Sequence, residues 1–596
     1  MDLSKLHLHW GMSTYKGNSY RSYSLAHSYR ENGKNRKKIV VKLGKLSDAE
    51  VKKWHCILKT LKEPNSFFTT TDDIVTTSHY AYLDVAVVSA VWDEWQLDSV
   101  FPNNDSKKEV KVADIAKILS INRSIDPVAK SQTPQWFKTT ALPWMLNIKE
   151  SLFNTSRVFR ELTAIEQRKE AICDHLFKLI KRNYPDSLKQ VFYDLSTTTF
   201  TGSRCVIMKW GHCKEGYKNN VVLALVVNKD GLPFYWETLL GGTPDSQTII
   251  WLLEKIKARF QGLDITLVFD RGMVSDDNLG NIEAAGIKYI SAMDKNQLEN
   301  ITGIDFSSFS HLKPNKTDNI PNFKKLDNST YYREIKVQGN RRYILCFNPV
   351  LFKDQRKTRA QAVSDFQAFA QQLNLELLSA KKARQRKATY ARFEKQLKKK
   401  KLISFTQIAL KLVNIKKKNS SKPIRTYQAE ITVDKDKMLH AGRLDGFWLL
   451  VTNHTEQKNS GFKLLPVQAI TPYREKTVIE SAFRDIKSFI EISPLYVWTT
   501  DHVKAHYTCC VLSYLINRYL TLKLHKNQGD ITQNIVSHEK LYKQLSDCKI
   551  DRIKVKNVGL STYKITEPTI EQKELVTRIG SANLLCKKIL KTVTNF

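Results

Sequence analysis

An apolar run, Ile265 to Phe269, stops abruptly at an aspartate, and this pattern restricts the fold more than any other in the chain. A strand this apolar is covered on both faces, as in the parallel sheets of α/β proteins. Arg271-Gly272 make the turn after it, and Ser275, with Asp276 and Asp277 behind it, reads as a helix N-cap and first turn. An acid at the carboxyl end of a buried parallel strand sits where such folds place their sites. A turn-forming Asp is the plain alternative, so Asp270 alone decides nothing.

Two more acids lie in similarly unusual company. Residues 191–200, VFYDLSTTTF, are rich in β-branched and aromatic types with Asp194 in their midst. An acid there has low strand propensity and is costly if buried unpaired, which suits a ligand better than a packing residue. The stretch YREKTVIESAFRDIK carries Tyr473, Lys476, Glu480 and Lys487 at offsets of 0, 3, 7 and 14. In one helix these fall within roughly 60° of one another, and Val478, Ala482 and Ile486 take the other side. A solvated face with i,i+4 ion pairs is the bland reading of that stripe. A carboxylate set among phosphate-binding groups is the functional one, and three such acids favour it.

The elements between the acids follow in order. After the Asp194 strand come an extended stretch from Cys205 to Trp210 and the run Val221 to Val227. Asp230-Gly231 then turns into LPFYWETLL. Pro244-Asp245-Ser246 open an amphipathic helix to about Phe260. The Asp270 strand follows, then a helix to about Ala285 and the strand KYISAM. Three antiparallel strands, then helix, strand, helix, strand, is the order of a ribonuclease-H-like α/β fold.

With these motifs the chain resembles the bacterial insertion-sequence DDE transposases of the insertion-sequence-four superfamily, whose signature is Tyr-(2)-Arg-(3)-Glu-(6)-Lys; Tyr473, Glu480 and Lys487 match it in register. Lys476 stands where that family usually has Arg, keeping the charge but losing the planar fork that grips phosphate bidentately. YDLSTTTF, FDRGM, IESAFRDIK and the Gly211-to-Lys214 segment are similar to one branch of the superfamily. The resemblance implies a transposase that binds terminal inverted repeats, cleaves the DNA ends and joins them to a new site. Asp194, Asp270 and Glu480 would be its catalytic acids, holding two Mg²⁺ ions with Mn²⁺ able to substitute. Tyr473, Lys476, Lys487, Lys214 and Arg271 would hold DNA, and a homodimer would pair two ends in a synaptic complex. A ribonuclease-H-like nuclease without strand transfer, and a domesticated DNA-binding protein without catalysis, are the other readings.

A formal charge of +36 on 596 residues indicates a polyanionic partner, with nucleic acid as the default, which the resemblance narrows to double-stranded DNA. No apolar run approaches the 18 or so residues of a membrane span and no signal peptide is visible, so a cytoplasmic, nucleoid-associated protein is expected. The nine Cys show no metal-finger spacing. His502 and His506 could form half a zinc site but lack a third ligand, and structural histidines are expected. No Walker-type loop is present.

The flanks divide as follows. Residues 1–60 read as a small β unit, with Tyr20 to Ser28 and Lys37 to Leu43 as paired strands that are either DNA-docking or merely solvated. Residues 75–185 read as a helical, end-recognising domain, periodic over His79 to Trp95, Val110 to Leu119 and Phe159 to Lys181. The core occupies 186–295 and 456–528, split by a basic insertion domain at 296–455 with β-like stretches at Arg341 to Phe347, Arg425 to Val433 and Gly446 to Thr452. Lys381 to Lys401 holds eleven Lys or Arg and one Glu. Lys381, Lys382, Arg384, Arg386 and Lys387 are expected on DNA phosphates, although charge runs are usually solvated. Residues 529–596 receive no function.

Overall fold

The computed structural model describes residues 2–63, 69–102, 110–200, 204–213, 216–312, 320, 322–416, 423–458, 461–493, 495–526 and 537–585. The chain forms two compact units. One comprises residues 1–91, 131–155 and 523–596; the other comprises 92–130 and 156–522.

The second unit is built on a ten-stranded mixed sheet. Its elements are β1 (Gln190–Thr199), β2 (Lys209–Cys213), β3 (Gly216–Asn228), β4 (Pro233–Leu239), α1 (Asp245–Phe260), β5 (Thr266–Phe269), α2 (Asp276–Ala284) and β6 (Lys288–Ala292). There follow β7 (Lys324–Asp327), β8 (Thr330–Gln338), β9 (Arg341–Phe347), α3 (Pro349–Leu378), α4 (Arg386–Lys400), β10 (Thr406–Ile415), β11 (Ile424–Val433) and β12 (Phe447–Thr452). The last are α5 (Pro466–Glu475), α6 (Thr477–Ser488) and α7 (Thr500–Lys526). Strand order is β7-β8-β9-β12-β6-β5-β1-β3-β2, and β4 also pairs with β3. Only β1-β5 and β5-β6 are parallel. β5 and β6 are almost wholly buried, as is the first half of β1, which is why these stretches are apolar runs, whereas β1 turns polar from Asp194 onward. Gly231, at φ +80°, turns β3 into β4.

Several expectations change here. Cys205 to Met208 form a turn, closed by Met208 N–H on Cys205 O at 3.2 Å, so the second strand starts later than its sequence suggests. The stretch read as an insertion gives β7, β8, β9 and β12 to the core sheet, because β12 pairs antiparallel with β6. Only α3, α4, β10 and β11 stand on a hydrophobic cluster of their own, built on Phe366, Leu373, Phe393, Leu402 and Phe405. The helix predicted across Tyr473 to Lys487 is two helices, with Lys476 ending α5 and beginning α6.

In the first unit, Leu6–Tyr15, Asn18–Glu31 and Lys34–Gly44 form a three-stranded antiparallel sheet followed by the helix Asp48–Lys62. Asn32 and Gly33, both at positive φ, make the second hairpin turn. His79 to Ala81, expected to be helical, end a strand, Ile74–Ala81, which pairs with Lys549–Val555. This long-range pairing overrides the local periodicity. The C-terminal region thus holds the strands Lys549–Val555 and Leu560–Ile565 between the helices His538–Leu545 and Ile570–Arg578.

Candidate active site

Register brings the first two acids together. Tyr193 on β1 lies beside Phe269 on the parallel strand β5, so Asp194, midway along β1, and Asp270, just past the carboxyl end of β5, are the next residues on adjacent strands. Asp194 accepts a 2.8 Å hydrogen bond from the Leu195 N–H. Burial pushes its carboxyl up to about 6, and the charges of Asp270 and Glu480 add to that while Lys476 opposes it. Asp270 is also desolvated, but the hydrogen bond and charge of Lys476 outweigh burial and set it below the ordinary carboxylate range.

Glu480 lies in the first turn of α6, where a carboxylate complements the helix dipole, and α6 packs against β1. Ile479, Ala482, Phe483 and Ile486 are its buried side, and Glu480 is exposed. Val478, expected on the packing side, is only half-buried. Lys476 links the acids: its ammonium is 2.8 Å from Asp270 Oδ1 and 3.7 Å from Glu480 Oε1. Tyr473 stacks on Trp448 with ring centroids 5.5 Å apart and an interplanar angle of 24°. Its ring also lies under the Lys476 ammonium at 5.9 Å, and burial keeps the phenol protonated.

A fourth acid carries no comparable motif in the sequence. Asp245, legible there only as a helix opener, sits against the turn after Asp270: a Cβ on Gly272 would stand 3.2 Å from its Oδ2. Asn278 fixes that arrangement by donating to Ser246 O at 2.7 Å and Met273 O at 2.8 Å. Burial, then the charge of Asp270, raises the Asp245 carboxyl. The signal available in the sequence was an acid directly after GGTP, ahead of an apolar helix. Trp448 had no such signal, since its role depends on β12 reaching the core sheet.

Asp194, Asp270, Glu480, Tyr473 and Lys476 are therefore gathered. Arg271 follows Asp270 with its side chain exposed, and Lys487 follows Glu480 by two helical turns, half-buried. Lys214 lies outside the described residues. Lys381, Lys382 and Arg384 are exposed in the link from α3 to α4, and Arg386 and Lys387 are exposed in the first turn of α4. His506 is structural: fully buried, it is hydrogen-bonded through Nε2 to Ile492 O at 2.9 Å, with the Lys130 ammonium at Nδ1. The carboxylates offer hard oxygen donors of the kind that divalent Mg, Ca and Mn take. Among the described residues no helix is long and apolar enough to cross a membrane.

Residues 191–516, more than half of the chain, match the family described as Transposase DDE domain, and residues 12–68 match the IS1634 family transposase, N-terminal domain. No curated protein sequence matches. Among solved structures, the piggyBac transposase synaptic complex with hairpin DNA is similar at 9% identity, over 73% of this chain and 70% of that one, with a TM-score of 0.34. The Mos1 transposase paired-end complex with left transposon end is similar at 12% identity, over 41% of this chain and 68% of that one, with a TM-score of 0.13. The sequence match carries the assignment: this chain belongs to the transposase DDE domain family and is a DNA transposase, an enzyme of the DDE type found in insertion sequences.

Proposed function

We propose that Asp194, Asp270 and Glu480 are the catalytic acids of this transposase and that they hold two Mg²⁺ ions, with Mn²⁺ able to substitute. DDE transposases work with divalent metals. The observation that carries the reading is the parallel register that sets Asp194 beside Asp270, with Lys476 bridging from Asp270 to Glu480. The donor set fits: Lys476 sits at two of the three carboxylates, and the Asp194 carboxyl is raised by burial and then by the charges of the other two. When bound, the ions would polarise the phosphate and activate the attacking oxygen for in-line displacement.

The chain's own residues position the DNA. Tyr473 is fixed by its stack on Trp448 and presents a protonated phenol beside the acids, while Lys476 balances their charge. Lys487 and Arg271 would contact the scissile strand's phosphates, Lys214 keeps the DNA-contact role that the family resemblance gives it, and the basic run leading into α4 would follow the backbone farther out. We read the β1-to-β6 order as a ribonuclease-H-like core and place the chain in the insertion-sequence-four superfamily. It would act as a homodimer on paired ends beside the nucleoid, cutting at the terminal repeats and joining the 3′ ends to target DNA.

The test is a plasmid carrying the element's ends, incubated with Mg²⁺ and each of Asp194→Asn, Asp270→Asn and Glu480→Gln. Each variant should lose strand cleavage while still shifting end DNA in a gel. A variant that cuts near the wild-type rate removes its residue from the set.

A further inference from the structure

The N-terminal sheet has two edges of opposite character. Its middle strand, Asn18–Glu31, is paired on both sides, which leaves Leu6–Tyr15 and Lys34–Gly44 as the edges. Lys34–Gly44 carries five Lys or Arg and no acid, the protection that natural edge strands use against pairing with another chain. Leu6–Tyr15, LHLHWGMSTY, holds no Lys, Arg, Asp or Glu. On a chain with a formal charge of +36, it is a 10-residue edge at which a second copy meets no fixed repulsion.

The backbone of this edge is set to pair. Lys16 and Gly17, both at positive φ, form a two-residue turn between the partners Tyr15 and Asn18. The pair that closes such a turn is hydrogen-bonded across the hairpin, and bonded and unbonded pairs alternate from there. The register is unshifted along the whole strand, so Leu6, Leu8, Trp10, Met12 and Thr14 turn their N–H and C=O groups away from the middle strand. Among the described residues no strand pairs with that side. The helix Asp48–Lys62 packs on the strand near the buried Leu6 and Leu58. It leaves the other end open, with Trp10, Met12 and Tyr15 51%, 63% and 64% exposed. The Arg21 guanidinium lies over the Trp10 ring at 4.8 Å and holds this exposed aromatic in place.

The strand also matches itself. Two copies related by a twofold axis perpendicular to the sheet run antiparallel and keep their sides, so outward N–H groups meet outward C=O groups. Centred on Trp10, such pairing sets Trp10 against Trp10 and Leu8 against Met12, apolar against apolar. We propose that Leu6–Tyr15 pairs antiparallel with the same strand of a second copy, joining their two N-terminal sheets into one and making a dimer without DNA. The contact lies outside the unit that holds the acids and does not depend on the catalytic reading.

The experiment is sedimentation velocity on the full-length protein, without DNA and in enough salt to screen its charge. Wild type should pass from monomer to dimer as concentration rises. Met12→Lys places a cation on the open edge and should raise the dimer dissociation constant by about tenfold or more. Val40→Lys adds the same charge to the other edge and should leave that constant unchanged. Hydrogen exchange on the wild-type protein gives a readout that needs no variant: peptides from Leu6 to Tyr15 should gain protection with concentration, and peptides from Lys34 to Gly44 should not. A wild-type chain that stays monomeric throughout, equal losses from the two variants, or protection of Leu6–Tyr15 that arises only with DNA would overturn the proposal. Asp194→Asn should dimerise like wild type, so the catalytic reading and the edge proposal fail separately.

Discussion

The Lys476 ammonium and the Asp270 carboxylate, 206 residues apart in the chain, meet at 2.8 Å. The ammonium is mostly buried and is the positive charge nearest the acids, so removing it leaves carboxylates facing one another. Lys476→Met should lower stability in EDTA by about 1 kcal/mol, a figure discounted for the 40% exposure of the Asp270 carboxylate. Added Mg²⁺ should recover most of that loss in a thermal melt. A deficit of the same size with and without Mg²⁺ would mean that Lys476 serves packing alone.

Lys487→Ala should slow cleavage more than it weakens binding, because a contact that positions the reacting phosphate acts on the chemical step. Single-turnover rates and equilibrium affinity on one end duplex would check this. Proportional losses would reduce Lys487 to general attraction for DNA.

The exposed cations at and just before the start of α4 have a different expectation from those farther along it. Arg392, Lys398 and Lys400 are already paired with Glu376, Glu394 and Asp365. Neutralising Lys381, Lys382, Arg386 and Lys387 should weaken binding to any duplex and flatten log affinity against log salt by about 0.9 for each phosphate that the variant no longer neutralises. An unchanged slope would identify a solvated face.

Gly231→Ala should destabilise the second unit by about 2 kcal/mol. Its φ of +80° disfavours a side chain, and a Cβ would lie 2.9 Å from Arg518 Nε and from Val478 Cγ1 on α6. Tyr514 and Arg518 clamp this turn by donating to Gly231 O at 2.8 Å and Asp230 O at 2.7 Å. Because Val478 is two residues from Glu480, cleavage should fall along with the urea midpoint. Wild-type activity at a lowered midpoint would uncouple the turn from the site.

Glu166 supplies a pH signature. Burial lifts its carboxyl to about 7, with Glu237 adding to the rise and Lys504 opposing it, and its Oε2 is buried without a hydrogen-bond partner. A raised carboxyl binds protons more tightly folded than unfolded between its ordinary value of 4.5 and about 7, so its contribution to stability falls as pH rises through that window. Glu166→Gln should therefore gain on wild type at pH 8 by at most about 3 kcal/mol, and much less at pH 5. The same difference at both pH values in urea titrations would refute this.

Much of the core was legible because its signals are local. An acid ending an apolar strand, an acid inside a β-branched run and a helical stripe of charge each depend on a few neighbouring residues. What could not be read came from long-range pairing. Nothing near Phe447 says that its strand joins β6, yet that pairing carries Trp448 to Tyr473. Nothing near His79 announces a partner at Asp551, so helical periodicity prevailed over the strand that forms there. Asp245 was visible as a residue but not as a neighbour of Asp270, because only the packing of α1 on the turn after β5 brings them close.

The core sheet also has a chronology. The strands bearing Asp194 and Asp270 leave the ribosome early, but β12 and the helix bearing Glu480 come some two hundred residues later. At typical synthesis rates of about 5–20 residues per second, that is a delay of about 10–40 seconds. During it, a nascent chain already carries its N-terminal sheet and its first two acids yet lacks the third. Until β12 arrives, β6 is an open edge of the sheet that holds Asp194 and Asp270, and a premature stop in the middle of the gene would leave that edge exposed for pairing with another chain.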